Sequence, residues 1–191
     1  MTAISVKAKR RKNDFYPTPA SGTRALLQNY PDINGVILEC CAGASDIANV
    51  LREIEGSIVL TNDIDESRDT DFHIDVSTPL GWVMLSDLIS YSGEPGADWV
   101  VTNPPFNLAP SIVPLAYEHA EIGVAMLLRL SFLEPCLNRA EFLLRYPPTK
   151  LIVLPRISFT GDGGVDSVTC GWFIWDKRVQ KSNITIVGAL L

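Results

Sequence analysis

The stretch from residue 36 to 65 constrains this chain most. Val36-Ile37-Leu38-Glu39-Cys40 is a short, nearly continuous apolar run and reads as a buried strand. Ile47, Val50, Leu51 and Ile54 then recur at i, i+3, i+4 and i+7, one face of a helix. Ser57-Ile58-Val59-Leu60-Thr61 is a second strand, ending at Asn62-Asp63-Ile64-Asp65. Strand, turn, helix and strand within about 30 residues is the length of a βαβ unit. Its two strands must run parallel, because the helix carries the chain back to the starting edge. A parallel sheet is covered on both faces, so the chain is expected to be an α/β layered fold.

The remaining pattern extends the same design. A helix is expected over about 20–30, a short strand near Phe72–Val76, and a helix opened by Ser77-Thr78-Pro79 and carrying Leu80, Val83, Met84 and Leu88. After a break at Gly93–Gly96 come a strand at Asp98–Thr102, a helix from Pro110 to about 121, and a strand at Gly123–Leu130. A helix over about 135–145, a strand at Lys150–Pro155, a glycine-rich loop at 160–164, and strands at Thr169–Asp176 and Asn183–Leu190 complete the reading. The fold class predicted is a doubly wound, mostly parallel α/β sheet with an antiparallel hairpin at its C-terminal end. With 191 residues and 47% apolar composition, residues 14–191 suffice for a single domain that needs neither disulfides nor a metal.

Charge is unevenly distributed. The formal net charge is −6, yet Lys7, Lys9, Arg10, Arg11 and Lys12 crowd into the first twelve residues, and without those five positive charges the total is −11. Such a body repels a polyanion at long range, so attraction to nucleic acid must be local. A flexible basic arm over 1–13 would supply it; the alternative is a solvated tail that serves solubility. Cys40, Cys41, Cys136 and Cys170 form no CxxC pair, which argues for reduced, buried thiols rather than a zinc or redox site. His73 and His119 lack a second ligand at metal spacing, so no metal is expected. No apolar run reaches membrane-spanning length and no signal peptide is evident, so a cytoplasmic protein is expected, nucleoid-associated if DNA is its substrate.

In a doubly wound sheet, ligands bind outside the carboxyl ends of the strands, near the point where strand order reverses. Four features end there. Glu39-Cys40-Cys41-Ala42-Gly43-Ala44-Ser45 is a turn of small residues that lets a ligand approach the backbone. Asp63 follows Gly43 by twenty residues, the spacing at which a carboxylate accepts from a ribose diol. Together they point to a nucleoside cofactor; the alternative is an ordinary strand-to-helix connection. The turn lacks the three glycines of a dinucleotide fingerprint, which disfavours a hydride transferase. Asp75 would contact the purine ring or cap the helix at Pro79.

Asn103-Pro104-Pro105-Phe106 is the fourth feature and the most specific. Two prolines at a strand end remove two donors and stiffen the loop, so the Asn103 amide and the Pro104 carbonyl can face one point. Two acceptors there would bind both hydrogens of one exocyclic amine. That draws the nitrogen towards tetrahedral geometry and frees its lone pair, making a nucleophile without a strong base. Phe106 offers a flat face on which an extruded base would stack. The alternative is a proline-stiffened loop with a buried phenylalanine.

Residues 103–106 resemble the motif of S-adenosylmethionine-dependent amino-methyltransferases acting on exocyclic nitrogens of adenine or cytosine. The order of motifs is most similar to that of small N6-adenine DNA methyltransferases, and the resemblance covers most of the chain. It implies a Rossmann-like class I methyltransferase fold and S-adenosylmethionine as cofactor. By this resemblance Asp14–Pro19 is the segment at the methionine part of the cofactor, with Tyr16, Thr18 and Pro19 in contact. Glu39, Cys41 and Gly43 belong to the turn beneath it, Asp63 and Ile64 to the ribose position, and Asp75 and Val76 to the adenine position. Asn103 is also expected at the cofactor, and Asn103, Pro104, Pro105 and Phe106 form the catalytic loop.

Two departures from the pattern stand out. Ser45 occupies the place of a usual second glycine and Cys40 that of a common proline, which implies weaker cofactor binding. Only about 85 residues follow Phe106, leaving no separate target-recognition domain. Recognition would fall to Phe106, to Lys9, Arg10, Arg11 and Lys12 of the arm, and to the loop Ser158–Gly164, with Thr160 and Gly161 the nucleic-acid contacts. Trp172, Phe173 and Trp175 are read as core rather than as a base platform. Pro135-Cys136 resembles the nucleophile dipeptide of cytosine-C5 methyltransferases but follows the wrong strand.

The function expected is methyl transfer to the N6 amine of adenine in DNA. Adenine in ribosomal or transfer RNA, or a protein glutamine amide, presents the same planar –NH₂ and is the nearest alternative substrate. A catalytically silent nucleoside-binding module is the alternative of another class.

Overall fold

The computed structural model describes residues 17–136, 139–156 and 169–186. In chain order the elements are α1 (Ala20–Asn29), β1 (Val36–Glu39), α2 (Asp46–Leu51), β2 (Ile58–Thr61), α3 (Pro79–Tyr91), β3 (Trp99–Thr102), α4 (Ala109–His119), β4 (Gly123–Arg129), α5 (Ala140–Arg145), β5 (Lys150–Val153) and β6 (Cys170–Asp176). One six-stranded sheet runs in the order β2-β1-β3-β4-β6-β5. The first four strands are mutually parallel, whereas β6 lies antiparallel between β4 and β5.

Strand residues alternate between two cores, as the pleat requires. Leu38, Val100, Val124, Met126, Leu128, Phe173 and Trp175 face one side, where Trp82 and Leu85 of α3, Ile112 and Val113 of α4, and Leu143 of α5 cover them. Ile37, Trp99, Val101, Ala125, Leu127, Trp172 and Ile174 face the other, under Leu26 of α1 and Ile47 and Leu51 of α2. The sheet is therefore doubly wound, as predicted. The chain leaves β1 towards β2 and returns on the far side to β3, so strand order reverses between β1 and β3. Trp172, Phe173 and Trp175 are core, at most 1% exposed. The indole N–H of Trp172 donates to the Gly22 carbonyl and that of Trp175 to the Tyr146 carbonyl.

Four expectations are corrected. Phe72–Val76 is not a strand: it forms a single bridge, Asn62 to Phe72. The Asn62 side chain explains this, because its amide donates to the Ile74 carbonyl and accepts from the Ile74 N–H, occupying groups a ladder would use. The helix expected over 135–145 is formed only from Ala140, preceded by a 3₁₀ turn at Leu130–Leu133. Residues 183–186 are in no strand, and 187–191 lie outside the described residues; the antiparallel hairpin is β5 with β6. Of the cysteines, Cys40 and Cys170 are buried, Cys41 is half-buried and Cys136 is exposed; all four are free thiols.

Candidate active site

The turn after β1 is built by backbone geometry and two carboxyl groups. Gly43 has φ 56° and Ser45 has φ 60°, both left-handed. Glycine adopts that conformation at no steric cost, whereas a side chain there costs roughly 1 kcal/mol. Ser45 is the N-cap of α2 but makes no side-chain cap. Its place is taken by Glu39, whose Oε2 accepts from the Ala48 N–H at 2.7 Å. Glu39 is 1% exposed, and burial pushes its carboxyl well above the usual carboxylate range. The structure thus directs this expected cofactor contact into the start of the helix.

Asp63 closes the turn from the neighbouring strand. Its Oδ2 accepts from Gly43 N–H at 2.7 Å and its Oδ1 from Asp65 N–H at 2.9 Å. A carboxylate has about four acceptor sites, so two backbone bonds leave capacity for a diol. Ile64 beside it is 59% exposed, an apolar surface next to the carboxylate. The Ala42 N–H donates to the Asn62 carbonyl and the Asn62 N–H to the Glu39 carbonyl, locking the two strand ends together. The Cys41 N–H donates to Thr102 Oγ1 at 3.2 Å, which ties the turn to the end of β3. The adjacent Cys40 thiol and then burial push the Cys41 thiol well up, so it remains protonated.

Asp75 is exposed, and its Oδ1 accepts from both the N–H and the hydroxyl of Ser77. The cap of α3 is Thr78, which accepts from Gly81 N–H, so Asp75 is not the helix cap. Val76 is a core residue, 5% exposed, and its carbonyl accepts from the Trp82 indole. The Asn62 amide reaches both the Cys40 carbonyl and the Ile74 carbonyl, so one fully buried side chain sets the spacing of the Gly43 turn and the Asp75 segment.

On the other side of the reversal, β3 ends at Thr102 and the Asn103–Phe106 loop follows. Asn103 Nδ2 donates to Thr18 Oγ1 at 3.0 Å, placing Oδ1 at the opposite end of the amide. Thr18 is 4% exposed, and Pro19 after it opens α1. Pro104 is buried, and the Pro105 carbonyl accepts from the N–H groups of Leu108 and Ala109, starting α4. Phe106 packs against the α1/α2 core and carries the Arg129 guanidinium over its ring, 4.6 Å from the centroid.

The structure brings Thr18, Pro19, Cys41, Gly43, Asp63, Asn103 and Phe106 to one edge of the sheet. Tyr16, Lys9, Arg10, Arg11, Lys12, Thr160 and Gly161 lie outside the described residues. Sequence reasoning missed Asn62, Thr102 and Arg129. The signal for the first two was a polar residue closing an apolar strand; for Arg129 it was a cation ending the strand next to the loop. Among the described residues no group of three or more His, Cys, Asp or Glu could hold a metal, and His119 is satisfied by Ser86 and stacked on Trp82. No described helix is long and apolar enough to cross a membrane.

No family model and no curated protein matches the chain. Solved structures do. A Pyrococcus horikoshii protein described as a candidate RNA methyltransferase superposes with TM-score 0.57 at 16% identity, covering 88% of this chain and 90% of its own. The M protein of the type I restriction enzyme EcoKI gives 0.54 at 14%, covering 90% of this chain and 46% of its own. A Listeria monocytogenes protein described as a candidate class I S-adenosylmethionine-dependent methyltransferase gives 0.54 at 11%, covering 96% and 69%. At these identities the likeness is one of architecture: the chain has the class I methyltransferase fold.

Proposed function

We propose that the protein is an S-adenosylmethionine-dependent methyltransferase that modifies the N6 amine of adenine in DNA. The observation that carries this reading is the placement of Asn103-Pro104-Pro105-Phe106 at the end of β3, directly across the strand reversal from the Gly43 turn and Asp63. When bound, S-adenosylmethionine supplies an electrophilic methyl group on a sulfonium. Asp63 would hold its ribose, with Ile64 and Asp75 towards the purine and Thr18 and Pro19 towards the methionine end. Asn103 Oδ1 and the Pro104 carbonyl accept the two amine hydrogens, raising the nucleophilicity of the nitrogen. Thr18 sets the end of the Asn103 amide that faces the substrate. Held in this way, the amine nitrogen would present its lone pair to that methyl group and would give up one N–H proton to solvent. The protein's contribution is mainly orientation of two reactants.

Contacts to the nucleic acid are assigned to Phe106, to Lys9, Arg10, Arg11 and Lys12, and to Thr160 and Gly161. The test is incubation of the protein with labelled cofactor and unmethylated DNA or RNA, followed by identification of the modified nucleoside by mass spectrometry. N6-methyladenine from DNA is the expected product. Product from RNA alone would move the substrate to RNA, a reading favoured by the RNA methyltransferase description of one structural neighbour. Asn103→Ala should abolish transfer with cofactor affinity nearly intact, and Asp63→Ala should weaken cofactor binding. Equal loss of binding in both would contradict these roles.

A further inference from the structure

Arg129 is the last residue of β4, the strand hydrogen-bonded to β3 on the side away from β1. Neighbouring strands lie about 4.8 Å apart. Arg129 therefore borders the Asn103–Phe106 loop from the side opposite the Gly43 turn, the side left for a substrate. Its guanidinium covers the Phe106 ring, the face on which a base would stack.

This placement is poorly satisfied. The Arg129 Nε is buried and has no hydrogen-bond partner among the described residues. Arg129 enters none of the ion pairs among the described residues, which join Arg24 to Glu53, Arg68 to Asp65, Arg139 to Glu134 and Arg178 to Asp176. A guanidinium presents a planar fork of donors suited to phosphate oxygens. An N–H withdrawn from water without an acceptor is unfavourable, and the attraction to the ring only partly offsets it. The side chain is therefore poised to leave Phe106 for an anionic acceptor.

We infer that Arg129 is a substrate contact that exchanges partners: it covers Phe106 in the free protein and moves to a phosphate flanking the target nucleotide, uncovering the ring for the base. This rests on the proposed function, because a glutamine amide would bring no phosphate. It also provides local positive charge at the mouth of a chain whose net charge is −6.

The test uses the full chain and an oligonucleotide spanning a methylated position mapped in the assay above, with the linkages flanking the target adenine either ordinary or replaced by uncharged methylphosphonate. The wild-type protein is expected to lose about tenfold in kcat/KM on the neutral linkage, the scale of one charge-assisted contact. Arg129→Ala should lose about tenfold on ordinary DNA and nothing further on the neutral linkage. Its cofactor affinity should match wild type, and its salt dependence should fall by about one unit. Arg129→Gln, which keeps most of the stem, takes the same comparison if the alanine variant does not fold, and Arg129→Lys should recover part of the sensitivity. The inference is overturned if the alanine variant equals wild type on ordinary DNA, or if it loses a further factor as large as wild type does on the neutral linkage. A wild-type protein that transfers to neither DNA nor RNA overturns the proposed function instead, and this inference with it.

Discussion

At the scale of single residues, the buried carboxyl of Glu39 shows how a site residue can act through the backbone. Its Oε2 holds the Ala48 N–H in place of the cap that Ser45 does not supply, and burial raises its pKa well above 4.5. A carboxyl whose folded pKa is raised favours the folded state fully below its unfolded value and loses that contribution as pH rises through the folded value. Glu39→Gln keeps the acceptor and is neutral at every pH. We therefore expect the stability of the variant relative to wild type to increase steadily above about pH 4.5, as read from urea midpoints across a pH series. A constant difference would show that Glu39 does not titrate with folding. Glu39 and Asp63 were legible because they end or directly follow a buried strand, and Asp63 meets the Gly43 N–H twenty residues away. The partners of these groups were not, since nothing in local sequence tells that Thr102 will meet Cys41 N–H, or Thr18 the Asn103 amide, across 61 and 85 residues.

At the scale of elements, α3 and the segment before it are fitted without spare room. A Cβ added at Gly81 would overlap the Asp75 carbonyl oxygen and lie 3.2 Å from Thr78 Oγ1. The backbone of Asp75 can therefore approach the first turn of α3 only because residue 81 is glycine. Gly81→Ala must displace the Asp75–Val76 segment or the helix start. We expect a loss of about 1–3 kcal/mol in stability, the usual range for overpacking, measured by denaturant titration. Because the proposed cofactor site includes Asp75, the variant should also bind S-adenosylmethionine more weakly, read by calorimetry. Retained stability would mean the helix shifts freely. The ends of α3 were readable from Thr78-Pro79, whereas the loss of the Phe72–Val76 strand was not, because a side-chain amide from Asn62 outcompeted the ladder.

At the scale of the whole molecule, charge and topology decide how a polyanion could bind. A chain with net charge −6 and five of its cations in the first twelve residues must draw nucleic acid through local contacts. Removal of residues 1–13 is expected to weaken DNA binding and to lower the slope of log affinity against log salt by up to about four units. Cofactor affinity should stay unchanged, and an unaltered salt slope would assign the arm to solubility alone. The sheet contributes the other half of the argument, because the reversal between β1 and β3 is what brings the Gly43 turn and the Asn103 loop to one crevice.

The sequence by itself determined the layering of this protein, since the strand and helix periods of 36–65 admit only a parallel unit covered on both faces. It also determined which residue types end at the carboxyl edge, because a strand that is apolar throughout can place polar chemistry only where it stops. Tertiary structure alone decided which of those groups meet. Asn62 spanning Cys40 and Ile74, Glu39 replacing the cap of α2, and Arg129 lying on Phe106 all join residues whose proximity depends on strand order and register. The insertion of β6 between β4 and β5 is of the same kind. Local periodicity records whether a strand is buried, but strand order is selected by the packing of distant side chains, here Trp172, Phe173 and Trp175, into two cores at once.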